Sequence, residues 1–95
     1  LNRELAVVPW YVSDANYREF KDSAVDQADF FDGFDEWLEV AMEHEHLAEA
    51  QGVIICRIRM SYEAFCAWCL TSGYRNDAAG RTAFAEVRAS QILDW

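Results

Sequence analysis

Ninety-five residues, 53% of them apolar, with a net charge of −9, describe one globular domain and not a disordered chain. No apolar run approaches the roughly 20 residues that cross a bilayer, and Leu5 to Val8 is too short and too soon interrupted by Pro9 for a signal peptide. Three cysteines, an odd number, match no secreted disulfide framework, so a reducing cytoplasm is the expected compartment.

The run Leu5-Ala6-Val7-Val8 predicts a first strand, edged by Pro9, which cannot donate to a ladder. Trp10, Tyr11 and Val12 are expected to continue it. Ser13 or Asp14 caps a helix over 15 to about 25, with Tyr17, Phe20 and Ala24 on its apolar stripe. The following loop carries Phe30 and Phe31. Burying each is worth about 1.5–3 kcal/mol, so both are expected beneath the next helix. That helix, over 34 to about 51, is the longest element. Phe34, Trp37, Leu38, Ala41, Met42, Leu47 and Ala48 form its apolar stripe; Asp35, Glu36, Glu39, Glu43, Glu45 and Glu49 occupy its other faces, and Gly52 ends it.

The rest of the chain is organised around Gly52 to Leu70. Residues 53–60 are β-branched, sulfur-bearing or Arg, which predicts a strand. Ile54, Cys56, Ile58 and Met60 fall on one face, expected to be fully buried. Val53, Ile55, Arg57 and Arg59 fall on the other, which emerges into solvent at its far end. Ser61 caps a helix whose apolar stripe is Tyr62, Phe65, Cys66, Cys69 and Leu70, with Trp68 off its centre and Gly73 as its stop. A last helix begins at Asn76 or Asp77 and runs through Ala79, Ala83, Phe84 and Val87 to about Gln91. Gly80 weakens it by about 1 kcal/mol relative to Ala. Leu93 and Trp95 form a partly apolar tail.

The expected fold is therefore α+β, in the order β-α-α-β-α-α, with a two-stranded sheet packed against four helices. The intervening length suits a parallel crossover and also permits an antiparallel pair. Two strands alone are marginal, and the apolar start of the second leaves an edge. A homodimer that joins two sheets, or packs helices across a two-fold axis, is the expected remedy.

Val8-Pro9-Trp10-Tyr11, Asp35-Glu36-Trp37-Leu38, Gly52-Val53 with Arg57-Ile58, Phe65 with Trp68-Cys69, and Arg81 with Phe84-Ala85 form a pattern. It resembles a family of short uncharacterised bacterial proteins with a DEW helix and an F..WC helix. By size alone the chain is also similar to orphan proteins of mobile elements. The resemblance covers most of the chain, rests on packing motifs and implies no activity. Against its pattern Cys66 and Gly80 are departures, which argues against a functional role for either.

Cys66-Ala67-Trp68-Cys69 has the spacing of a redox pair. Cys66 nevertheless lies more than a turn inside its helix, beyond the reach of the N-terminal dipole, and two small buried hydrophobes are the plainer reading. His44 and His46 point about 200° apart on a helix and match no zinc spacing. Asp29, Asp32, Gly33, Asp35 and Glu36 lack the ligand alternation of a calcium loop. No metal or cofactor is expected. With no phosphate loop, no Ser elbow and no nucleophile beside a base, no enzyme is expected either.

Charge carries more. Between Asp22 and Cys56 lie ten acids and no Lys or Arg, so one side of the domain should be strongly negative. That face repels nucleic-acid phosphates. It suits a basic protein partner, or mimicry of a nucleic-acid backbone, and otherwise serves as a solvated surface. The leading expectation is a non-catalytic protein-interaction module, homodimeric, with Glu36, Glu39, Glu43 and Glu45 outward. Trp37 and Trp68, with Trp10, are candidate anchors. Arg57 and Arg59 are expected to meet the acidic helix of the same or another copy. The alternatives are an acidic nucleic-acid mimic, and a small-ligand binder or thiol enzyme at a pocket near Cys56, Cys66 and Cys69.

Overall fold

The computed structural model describes residues 4–93. It contains strand β1 (Leu5–Trp10), helix α1 (Asp14–Ser23), a single 3-10 turn (Gln27–Asp29), helix α2 (Phe34–Ala50), strand β2 (Ile54–Arg59), helix α3 (Tyr62–Ser72) and helix α4 (Ala78–Leu93). The order is β-α-α-β-α-α, and the class is α+β. The strands are parallel, in register Leu5 with Ile54 through Trp10 with Arg59.

Local chemistry sets the ends. Ser13 and Ser61 accept from the N–H groups of Asn16 and Ala64, capping α1 and α3. Gly73, at φ +81°, stops α3 in the left-handed region, and Gly52, at φ +86°, makes the tight turn from α2 into β2. Asp77 Oδ1 accepts from Gly80 N at 2.8 Å and opens α4.

Two apolar clusters hold these elements. The larger is aromatic and lies beyond the strands' C-terminal ends, where Tyr11, Tyr17, Phe20, Met60, Phe65 and Phe84 are buried together. Asn16 threads this region with every polar atom used: its Oδ1 accepts from Val12 N, and its Nδ2 donates to the Met60 carbonyl at 2.7 Å. The smaller cluster joins α4 to the sheet. Ala85 and Ala89, one turn apart, let the helix backbone approach Ile58, Cys56 and Val7. So α4 covers one face of the sheet, while α2 lies over the other and α1 and α3 close the aromatic end.

Several expectations need correction. The face Ile54-Cys56-Ile58-Met60 is not buried throughout: Ile58 and Met60 are, but Ile54 is 46% exposed. The reason is that α4 crosses the sheet at Cys56 and Ile58 and leaves Ile54 uncovered. On α3 the buried arc is Tyr62, Phe65, Trp68 and Cys69. Cys66 and Leu70 lie about 100° and 140° from Phe65, and both are exposed, Leu70 to 89%. On α2, Met42 and Leu47 are exposed. Phe30 joins the aromatic cluster, whereas Phe31 stays 38% exposed. Gly80 is not a mere weakness, since a Cβ there would collide with the backbone carbonyl of Arg75. Trp95 lies outside the described residues.

Candidate functional site

A cleft of about 460 Å³ lies between α2 and the face of the sheet opposite α4. Its floor is Ala6, Val8, Pro9 and Trp10 of β1 with Ile55 of β2; its roof is Trp37, Val40, Ala41, His44, Glu45 and Ala48, with Phe31 at one end. The sequence builds it from both ends. At the C-terminal end of α2, the turn through Gly52 brings the helix down onto the sheet, and Val53 N donates to the Ala48 carbonyl at 3.1 Å. At the other end Trp10 and Trp37 meet edge to face at 5.1 Å and hold the helix away from β1. Between them Ala6, Ala41 and Ala48 are too short to fill the gap.

The β2 side of the cleft is tied shut. Arg57 donates from Nε and Nη2 to both oxygens of Glu45, at 2.7 and 2.6 Å, and its guanidinium stacks 3.9 Å from the Trp10 ring centre. The hydrogen bonds from Arg57 hold the Glu45 carboxyl below its ordinary range. The β1 side is different. Of the described elements, only β2 and α4 lie against the β1 backbone. The ladder is fixed at its ends by Ile54 N to the Glu4 carbonyl and Met60 N to the Trp10 carbonyl. Alternation along a strand then turns the backbone groups of Leu5, Val7 and Pro9 away from β2. The register turns the N–H groups of Leu5 and Val7 away from β2, and among the described residues neither donates to a loop or a side chain. Pro9 has no N–H, so its place on this outer edge costs the sheet nothing.

Helical geometry assigns the flanks of α2. With Glu45 directed to β2, the flank about 200° around carries Glu36, Val40, Glu43 and Leu47, and it faces the bare edge of β1. Glu36, Glu43 and Leu47 are all exposed. Glu39 points away from the sheet and is also exposed. The site therefore combines an apolar slot, a bare strand edge and an acidic rim.

The residues singled out in the sequence do not all converge here. Trp37 and Glu45 line the cleft, and Arg57 locks its side. Arg59 is exposed on a separate depression with Tyr62 and Glu63. Trp68 is remote, stacked on Tyr74 at 5.1 Å and packed beside Phe65 and Phe84. Cys56 lies on the α4 face, Cys66 is exposed, and Cys69 packs beside the aromatic cluster. None of the three lines the cleft. Burial pushes the Cys69 thiol above its ordinary pKa, the opposite of an activated thiolate. Among the described residues no three His, Cys, Asp or Glu side chains gather to hold a metal. Sequence reasoning missed Ala6, Val8, Ala41 and Ala48 as site residues. The only trace was the spacing of Trp37, Ala41, His44 and Ala48, which puts two alanines on the inward face of an otherwise bulky helix.

A second polar centre lies at the aromatic end. Arg81, 8% exposed, donates to both oxygens of Asp26 at 2.9 and 2.6 Å and to Asn76 Oδ1 at 2.9 Å, with Phe30 beneath it. The guanidinium holds the Asp26 carboxyl below its ordinary pKa. Burial pushes the neighbouring Tyr11 up to about 12. With its hydrogen bonds satisfied within the fold, this centre reads as a clamp between α4 and the loop after α1. Comparison with protein-family models, curated proteins and solved structures finds no match.

Proposed function

We propose that the chain is a non-catalytic protein-interaction module that recognises a basic partner through α2 and the cleft beneath it. The supporting observation is the coincidence of an unfilled apolar slot with an acidic helix flank. Apolar area supplies affinity there, and the carboxylates select the sign of the partner's charge. Self-association through the same edge would bring two acidic α2 helices together, which like-charge repulsion opposes. A homodimer is thus the less favoured occupant.

The test is charge reversal at Glu36, Glu39 and Glu43, all exposed and none in an ion pair among the described residues. Glu45 is left intact because it holds α2 to β2. The tagged chain is expected to retain a basic protein from its host lysate at 50 mM salt. The triple Lys variant should lose that protein while keeping its far-ultraviolet spectrum. Equal retention by both chains would remove the proposal. Sedimentation at micromolar concentration reports a second copy as twice the 11.0 kDa chain mass.

A further inference from the structure

The outward groups of Leu5 and Val7, the apolar cleft and the flank Glu36-Val40-Glu43-Leu47 lie side by side. We infer that this edge accepts an extended segment of the partner as a third strand. That segment carries apolar side chains at alternate positions facing α2, with Lys or Arg next along the same face, where Glu36 and Glu43 stand. The inference rests on the interaction reading above and adds the mode of binding.

Three features carry it. The first is backbone: Leu5 and Val7 present N–H and carbonyl groups, and an added strand satisfies them. The second is shape. The floor of the cleft is mostly β1, and its roof stands away from β1, so the empty volume is reached from the β1 side. A strand laid on that edge directs every second side chain toward α2, over Ala6 and Val8 and against Val40 and Leu47. The third is charge. Glu4 precedes β1, Glu36 and Glu43 line the facing flank of α2, and neither β1 nor α2 contains a Lys or Arg. On the opposite face α4 offers Glu86 and Arg88, one of each sign, while Arg81 is committed to Asp26. The β2 edge is unlike this: Arg57 ties β2 to Glu45 of α2, and exposed Arg59 opposes a basic segment there. The chain thus has one receptive edge and one guarded edge.

The probe is a labelled heptapeptide, Lys-Thr-Val-Thr-Val-Thr-Lys, whose Lys and Val share one face of a strand. It is compared with a Glu-Val peptide, in which Glu replaces both Lys, and with a block peptide of two Lys, two Val and three Thr. The alternating Lys peptide is expected to bind about 10-fold or more tightly than either. The Leu5 and Val7 amides should exchange more slowly when it is bound. Two substitutions then probe the site. Val7→Pro deletes an outward N–H and leaves the ladder to β2 intact, as Pro9 already does two residues on. Ala41→Phe fills the cleft without touching the edge. Each should weaken the alternating Lys peptide about 10-fold.

Equal binding of the alternating and block Lys peptides, without amide protection, would overturn strand addition and leave the acidic-surface reading standing. Equal binding of the Glu-Val peptide, or no binding at all, would overturn both. Protection of Leu5 and Val7 in the chain alone, with sedimentation at twice the chain mass, would assign the edge to a second copy and overturn the inference.

Discussion

Gly80 is the residue at which intuition from sequence and geometry from structure differ most. On helix propensity, Gly80→Ala should stabilise α4 by about 1 kcal/mol. In the fold, the carbonyl of Arg75 folds over that position and leaves no room for a Cβ. Steric displacement of backbone outweighs propensity, and Gly80→Ala is expected to cost about 1–3 kcal/mol in urea unfolding. A gain in stability would show that the turn over 75–77 yields easily. Asp26 is the sole carboxylate paired with the buried Arg81 among the described residues. Asp26→Ala strands that cation and should cost about 3–5 kcal/mol. The pair also sets a pH dependence. Arg81 lowers the folded pKa of Asp26, so the folded chain holds this proton more weakly than the unfolded chain does. The resulting stability is complete above the unfolded value of about 3.9 and is lost as pH falls through the lower folded value. The gap between wild type and Asp26→Asn should therefore be constant from pH 5 to 7 and shrink below pH 4. A gap that persists undiminished at acid pH would assign it to packing.

At the scale of the element, the seat of α2 depends on one aromatic side chain and one ion pair of unequal weight. Trp37 meets Trp10, Tyr11 and Phe34 and separates the helix from the sheet. Trp37→Ala should cost about 3–5 kcal/mol and allow α2 to settle over β1, closing the cleft. The Glu45–Arg57 pair is well formed but half in solvent, with Arg57 45% exposed. Glu45→Gln should cost no more than about 1 kcal/mol. Reversal of that ranking in thermal unfolding would make the ion pair, not the aromatic prop, the element that seats α2. The same helix illustrates how far the pattern of residues was legible. Its limits, its stop at Gly52 and its inward Trp37 and Ala41 follow from period and turn chemistry, as do the caps Ser13 and Ser61 and the stop Gly73 for α1 and α3. The flank that stays dry does not follow. Met42, Leu47, Cys66 and Leu70 sit at helical spacing with core residues, yet the partner elements approach from one arc and miss them. The parallel sense of the strands depends on how two helices return, which no local signal records. The cleft was hidden for a further reason: it is made by absent volume at Ala6, Ala41 and Ala48, and alanine in a helix ordinarily signals close packing, as Ala85 and Ala89 do on α4.

For the whole molecule, the imbalance of charge makes a prediction of definite sign. Of the ten acids between Asp22 and Cys56, only Asp26 and Glu45 meet a cation among the described residues. The other eight repel one another across the surface built by α2, the loop before it and the end of α1, and folding concentrates them. Added salt screens this repulsion and also weakens the two ion pairs, so the effects oppose. Their weights differ. The Asp26–Arg81 pair is buried and screened little, and the Glu45–Arg57 pair contributes modestly even at low salt. The repulsions are exposed, and moving from 10 mM to 0.5 M sodium chloride shortens the screening length from about 30 Å to a few ångströms. Net stabilisation by salt is the expected outcome. A gain of 1 kcal/mol would raise Tm by about 4–8 °C in a domain of this size. Chloride is the proper anion for the measurement, since sulfate strengthens apolar burial by exclusion from the surface. The Glu36→Lys, Glu39→Lys, Glu43→Lys variant should show a smaller rise, having exchanged repulsion for attraction on the same helix. A Tm that falls with salt in wild type would mean that the ion pairs dominate, and that the acidic face is already balanced within the fold and not held in reserve for a partner.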